Sequence, residues 1–264
     1  MIQNSMQLYL ADHMLLIHAP TVISGPTRRP AYVLFWSTTD HLFTFSDATG
    51  KLLFEGKAAL VAPNVERQLK TIDSNIFSLN IEPGHPYFHS LSCLSFNQGI
   101  LPIDIQRFMP YSNELKTCFK VADYAGIEKI ANKLTKSISP HNVQKHIRDN
   151  RIDSLLPLLD RNTPLELASL AKLFNLSKGH LSHLFSEEIG LPLKSYILWR
   201  RYRRAMLALQ SGEKISTIAH HVGFYDHAQM SRTFLSLFGY TPSILKRPEF
   251  IQISGKLQQW EDHF

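Results

Sequence analysis

The spacing of apolar residues changes character about midway along the chain. Up to about residue 85 they fall in short runs, such as Gln7–Leu10, Met14–Ile17, Tyr32–Trp36 and Ile76–Ile81, rich in β-branched and aromatic side chains. Turn signals separate them: Ser24-Gly25-Pro26, Asp47-Ala48-Thr49-Gly50, Ala62-Pro63-Asn64 and Glu82-Pro83-Gly84. Many short strands at near-regular spacing predict a β-sandwich or barrel. Between 86 and 150 the pattern turns helical, and Tyr124–Ile138 carries Ile127, Ile130, Ala131 and Leu134 on one stripe. After Ser139-Pro140 the chain reads as helical almost to Pro248. Leu155, Leu156, Leu158 and Leu159 mark a helix ending near Arg161-Asn162, and Thr163-Pro164 offers the start of the next. A domain boundary is expected near residue 148, and the tail from 248 to 264 has no legible pattern.

The helical half contains an internal repeat. Leu170-Ala171, Asn175-Leu176-Ser177, Leu181-Ser182-His183-Leu184-Phe185 and Gly190 recur as Ile218-Ala219, Gly223-Phe224-Tyr225, Met230-Ser231-Arg232-Thr233-Phe234 and Gly239. The offset is 48 residues before the turn and 49 after it. A small Ala lets two helices cross closely, and Asn175 or Gly223 tolerates the positive φ of a tight turn. The following helix then turns its apolar positions inward and its polar ones outward. That is the pattern of a helix-turn-helix unit, whose second helix enters the DNA major groove. A plain helical bundle with two ordinary turns is the competing reading. From Leu193 to Ser211 runs a helical connector of 19 residues, about 28 Å long at 1.5 Å per residue. Grooves on one face of DNA recur every ~34 Å, so such a rod suits two recognition helices in successive grooves.

Composition alters this picture little. The 264 residues are 44% hydrophobic and 19% charged, enough for two cores and unlike a disordered chain. The net charge is +6, with 14 basic and 12 acidic residues in 1–150 against 14 and 10 in 151–264. A modest basic bias fits a polyanionic partner without proving one. Cys93 and Cys118 lack zinc-site or disulfide-framework spacing. With no apolar stretch near the ~20 residues of a membrane span and no leader pattern at Met1–Ser5, a cytoplasmic protein is expected.

The C-terminal signature Ile218-Ala219-His220-His221-Val222-Gly223-Phe224, then Ser231-Arg232-Thr233-Phe234 and Phe238-Gly239-Tyr240-Thr241-Pro242-Ser243, resembles the AraC/XylS family of transcription regulators. Leu176-Ser177-Lys178-Gly179-His180-Leu181-Ser182-His183-Leu184-Phe185 echoes that family's first unit. The resemblance covers about 149–247; the N-terminal half is similar to the family's cupin-like sensor domains only through strand pattern and position. It implies an α+β fold: an N-terminal cupin-like β-barrel or sandwich with flanking helices (1–148), an all-α DNA-binding domain with two helix-turn-helix units (149–247), and a C-terminal tail. It further implies a sequence-specific regulator, an activator through RNA polymerase, that binds double-stranded DNA through Lys178, Gly179, Ser182 and His183 in the first unit and His227, Ala228, Ser231 and Arg232 in the second. Arg232 can meet guanine or phosphate, or pair within the bundle. Gly179 offers no side chain. In the run Arg200, Arg201, Arg203, Arg204, not all four can face DNA; the resemblance makes Arg201 structural, which leaves Arg203 and Arg204 for solvent or phosphate.

The N-terminal half shows no His-x-His metal pair, no Ser/His/Asp order and no phosphate loop. Neither enzyme chemistry nor a cofactor or metal is expected, and a small barrel without chemistry serves as a ligand pocket. Leu34, Trp36, Phe43 and Phe45 are its expected lining, and Arg28 or Arg29 either attracts an anionic effector or lies on a surface loop. The Ile127–Leu134 stripe either pairs two subunits in a homodimer or packs as core. The alternatives are a ligand-independent regulator whose barrel only dimerises or meets a protein and, less favoured by the missing metal pair, a cupin enzyme.

Overall fold

The computed structural model describes residues 5–72, 74–140, 148–159 and 166–255. Its strands are β1 (Met6–Ala11), β2 (Met14–Ala19), β3 (Val22–Ile23), β4 (Tyr32–Ser37), β5 (Phe43–Ser46), β6 (Leu52–Gly56), β7 (Ala58–Val61), β8 (Gln68–Thr71), β9 (Ile76–Ile81), β10 (Ile100–Pro102) and β11 (Ile251–Gly255). Its helices are α1 (Met109–Val121), α2 (Tyr124–Ile138), α3 (Asn150–Leu159), α4 (Leu167–Leu173), α5 (Lys178–Ile189), α6 (Leu193–Ala208), α7 (Ile215–His221), α8 (His227–Phe238) and α9 (Pro242–Leu245). No helix among the described residues is long and apolar enough to cross a membrane.

Two sheets form, ordered β10-β7-β4-β9-β2-β1-β11 and β3-β8-β5-β6. Strands β4 and β9 are buried along their whole length because both faces of the larger sheet are covered, so they read as continuous apolar runs rather than alternating ones. Successive side chains still point to opposite faces. Tyr32, Leu34 and Trp36 join the α1–α2 side, where Trp36 Nε1 donates to Ser112 Oγ at 3.1 Å. Val33 and Phe35 point the other way, into the core shared with Phe43 and Phe45 of the smaller sheet. The stripe Ile127, Ile130, Ala131 and Leu134 of α2 is fully buried in the first of these cores. Of its two readings the core one holds, since no apolar surface is left there for a second subunit.

The larger sheet also carries the C-terminal helices. On β1 and β2, Leu8, Leu10, Leu15 and Ile17 face a cluster with Trp199, Tyr202, Met206, Ile218, Phe234 and Phe238. The tail, unreadable in sequence, supplies β11, which runs parallel to β1 from Met6↔Ile251 to Leu10↔Gly255. Ile251 is fully buried in that cluster. A strand this short and isolated in sequence has no partner to announce it; only the free edge of β1 makes it a strand. Helix α3 begins at Asn150 and carries Pro157; its expected end at 161–162 and the helix start at Thr163-Pro164 lie outside the described residues. The connector is α6 followed by a 3₁₀ turn at Leu209–Ser211, together the 19 residues expected.

Candidate DNA-binding interface

The repeat in sequence is a repeat in backbone geometry. Helices α4 and α7 have seven residues each, and α5 and α8 twelve each. Ala171 and Ala219 are buried at the two helix crossings. Leu176 N–H donates to Ala171 O at 2.9 Å, and Phe224 N–H donates to Ala219 O at 2.8 Å. The turn residues Asn175 and Gly223 are left-handed, with φ of 54° and 86°, which an amide side chain or a glycine accepts at low cost. Ser177 Oγ accepts from His180 N–H at 3.1 Å and Asp226 Oδ1 from Gln229 N–H at 2.6 Å, so each second helix opens on a side-chain cap. Each ends on a left-handed glycine, Gly190 and Gly239, whose N–H groups return to Ser186 O and Leu235 O.

These caps set which side chains face outward. On α5, Lys178, Gly179 and His183 are exposed and Ser182 half-buried, while Leu181, Phe185 and Ile189 point in. On α8, His227 and Arg232 are exposed, Ala228 and Ser231 half-buried, and Met230, Phe234 and Phe238 point in. No Cβ clash surrounds Gly179, which lies in open space. His183 Nδ1 sits 3.1 Å from Glu187 Oε2 one turn on, so the ring has a partner within its own helix. Arg232 lies on the outward, exposed face of α8. Tyr225, named in the sequence only as part of the repeat, is 85% exposed just before the capping Asp226.

The assignment of Arg203 and Arg204 to solvent or phosphate is corrected by the structure. Both are buried, at 1% and 3% exposure, and Arg203 lies on the face of α6 that packs on the N-terminal sheet. Arg203 Nη1 pairs with Glu82 and its Nη2 donates to Ala11 O. Trp199 Nε1 donates to the same Glu82 Oε2 at 3.0 Å. Arg200, also buried, donates to Asp12 O at 3.0 Å. Burial lifts the Glu82 carboxyl above the usual range, with Arg203 and the Trp199 bond pulling it back down. Arg201, by contrast, is half-buried beside Gly223, whose added Cβ would meet its Nε at 3.2 Å.

The expected pocket lining is also corrected. Leu34 and Trp36 face α1 and α2, while Phe43 and Phe45 are close-packed on the opposite side, so the pleat prevents the four from sharing a cavity. Arg28 is exposed and its N–H donates to Ser236 O on α8. A cavity does exist, lined by Arg29, Arg67 and Phe35 of the N-terminal half and by Phe238 and Tyr240 of the C-terminal half. Among the described residues no group of three or more His, Cys, Asp or Glu side chains is placed to hold a metal ion.

Residues 170–247 match a family described as a helix-turn-helix domain. The chain is 36% identical over 87 residues to the arabinose operon regulatory protein of Escherichia coli K12, which is 33% of this chain and 29% of that one. It is 34% identical over 112 residues to the transcriptional activator RhrA of Rhizobium meliloti, covering 41% and 34%. The crystal structure of ToxT from Vibrio cholerae, bound to an unsaturated fatty acid, matches over 90% of this chain and 92% of that one with a TM-score of 0.50 at 14% identity. That likeness shows a shared fold: β-rich sheets followed by a helical domain. The C-terminal segment is thus a helix-turn-helix domain. The chain spans about a third of the length of the curated relatives it matches.

Proposed function

We propose that this protein is a two-domain, ligand-responsive regulator of transcription that binds duplex DNA by sequence and has no catalytic activity of its own. The observation that carries the reading is the doubled helix–turn–helix geometry, with matching turn bonds, caps and outward polar faces on α5 and α8. Lys178, Gly179, Ser182 and His183 of α5 and His227, Ala228, Ser231 and Arg232 of α8 are the groups that meet bases and phosphates, in successive major grooves about 10 bp apart. The segment from Ser5 to about residue 148 acts as the cupin-like sensor, and the fatty acid bound to ToxT supports a small-molecule effector here. Occupancy then shifts the disposition of the reading helices and, through it, RNA polymerase recruitment in the cytoplasm.

Polarisation titration of the full chain against genomic duplex fragments tests the reading, at several salt concentrations. Specific binding with a linear log–log salt dependence is the expected result, and Lys178→Ala reduces the slope by about 0.9 if its ammonium neutralises one phosphate. Indifference to every duplex at low salt would remove the proposal.

A further inference from the structure

The repeat also aligns the charges of the two reading faces. After the turn its offset is 49 residues, which sets Lys178 against His227 and His183 against Arg232. Each face therefore carries the same two cationic positions, one filled by a permanent cation and one by a histidine, and the order is exchanged between the units. All four side chains are exposed. Lysine and arginine keep their charge through the physiological range, whereas an imidazole ordinarily gains or loses its charge between about pH 5 and 8. The two faces thus hold two fixed charges, Lys178 and Arg232, and two that depend on the medium.

The protein surroundings of both rings are mixed in sign. His183 Nδ1 is 3.1 Å from Glu187 Oε2, and its own helix also carries Lys178, His180 and Glu188. Helices α3, α4 and α6, packed on α5, bring Arg151, Asp153, Lys172 and Lys194. His227 follows Asp226, whose Oδ1 accepts from Gln229 N–H at 2.6 Å. The element packed beside it, α7, brings Lys214, His220 and His221, the last 3.4 Å from Glu213. From α6 comes Arg201, and past α9 Lys246 Nζ donates to Gly212 O at 3.0 Å. A duplex laid on these faces adds about one negative charge per 1.7 Å of its axis, and negative charge nearby favours the protonated imidazole.

We propose that duplex binding by this chain is coupled to proton uptake at His183 and His227, so that the protein grips DNA more tightly as the medium is acidified. Each proton bound completes the second cation of one reading head and is released when the duplex leaves. The coupling rests on the regulator reading above and gives it a response to pH. Binding that takes up protons strengthens as pH falls. Acid loosening of the fold would weaken binding instead, so the two effects have opposite signs.

Polarisation titration of the full chain against a genomic duplex fragment that it binds, across the histidine range from about pH 8 to 6, tests the coupling. Kd is expected to tighten by about tenfold or more over that range, since each proton fully taken up changes it about tenfold per pH unit. The log–log salt slope steepens by about 0.9 for each histidine that meets a phosphate. Calorimetry in two buffers of different ionisation enthalpy reads the protons taken up directly. His183→Gln combined with His227→Gln binds more weakly and loses the pH dependence. His183→Arg combined with His227→Lys gives each unit the cation the other carries. It also loses the pH dependence and reaches at about pH 8 the affinity that the native chain shows at about pH 6. A native Kd that is flat in pH, binding without proton uptake, or a pH dependence that survives the double Gln variant would overturn the coupling alone. Indifference to every duplex at each pH removes the regulator reading and the coupling with it.

Discussion

The two helix–turn–helix pairs share their backbone plan and differ in what they rest on. The first closes its own core: Ile152, Leu155, Leu170, Leu181, Phe185 and Tyr196 pack together without a residue from the sheets. Its ties to the N-terminal half are peripheral, such as His89 Nε2 with Glu188 O at 2.9 Å. The second shares its core with β1, β2 and β11, and its recognition helix is held at the far end by Arg28 and Arg29. Two units with one local design therefore differ in how closely they are packed against the sheets.

The largest test of this contrast is removal of Glu82. Glu82→Ala strands the buried Arg203 and frees Trp199 Nε1, and losing one partner of a buried pair costs about 3–5 kcal/mol. Hydrogen exchange should then accelerate at α8 and leave α5 nearly unchanged; equal loss in both units would erase the distinction. On the DNA side, Arg232→Ala should weaken binding by about 1–3 kcal/mol and relax specificity at one position. His183→Ala should cost less because Glu187 already holds that ring. At the turns, Gly223→Ala forces a Cβ into left-handed backbone and against Arg201, destabilising by about 1–2 kcal/mol, whereas Asn175→Gly should be nearly neutral by chemical denaturation.

The smallest effect is one of pH. His13, at the contact of the sheet with α6, is held well below the ordinary histidine value, first by desolvation and then by Arg200, Arg203 and Arg148, with His85 adding to them. His18, half-buried and stacked on Phe77 4.5 Å away, is held at about 4 by desolvation and by the charge of Lys116. In the unfolded chain both take up protons below about pH 6.5, while in the folded protein they stay neutral, so stability is full above that pH and falls as the medium is acidified. Melting at pH 7.5 and 5.5 should show the drop, and His13→Gln should reduce it. A first unit that melts separately and ignores pH would sharpen the contrast further.

Local chemistry sufficed to place the helix–turn–helix pairs in the sequence. An Ala at a crossing, a turn residue that tolerates positive φ, a capping Ser or Asp and a closing Gly act within a few residues of one another, so the chain states them directly, twice. The outward positions of α5 and α8 follow from the same short-range rules. The arginines of α6, the pocket and the tail obey longer-range ones. Whether Arg203 meets a phosphate or Glu82, 121 residues away, depends on which face of α6 lies on the sheet, and helical spacing is silent about that. The pleat assigned Leu34 and Phe35 to opposite cores only once both sheet faces were covered. Residues 251–255 became a strand because β1 had an unpaired edge within reach. Burial and pairing between distant segments are properties of the assembled fold.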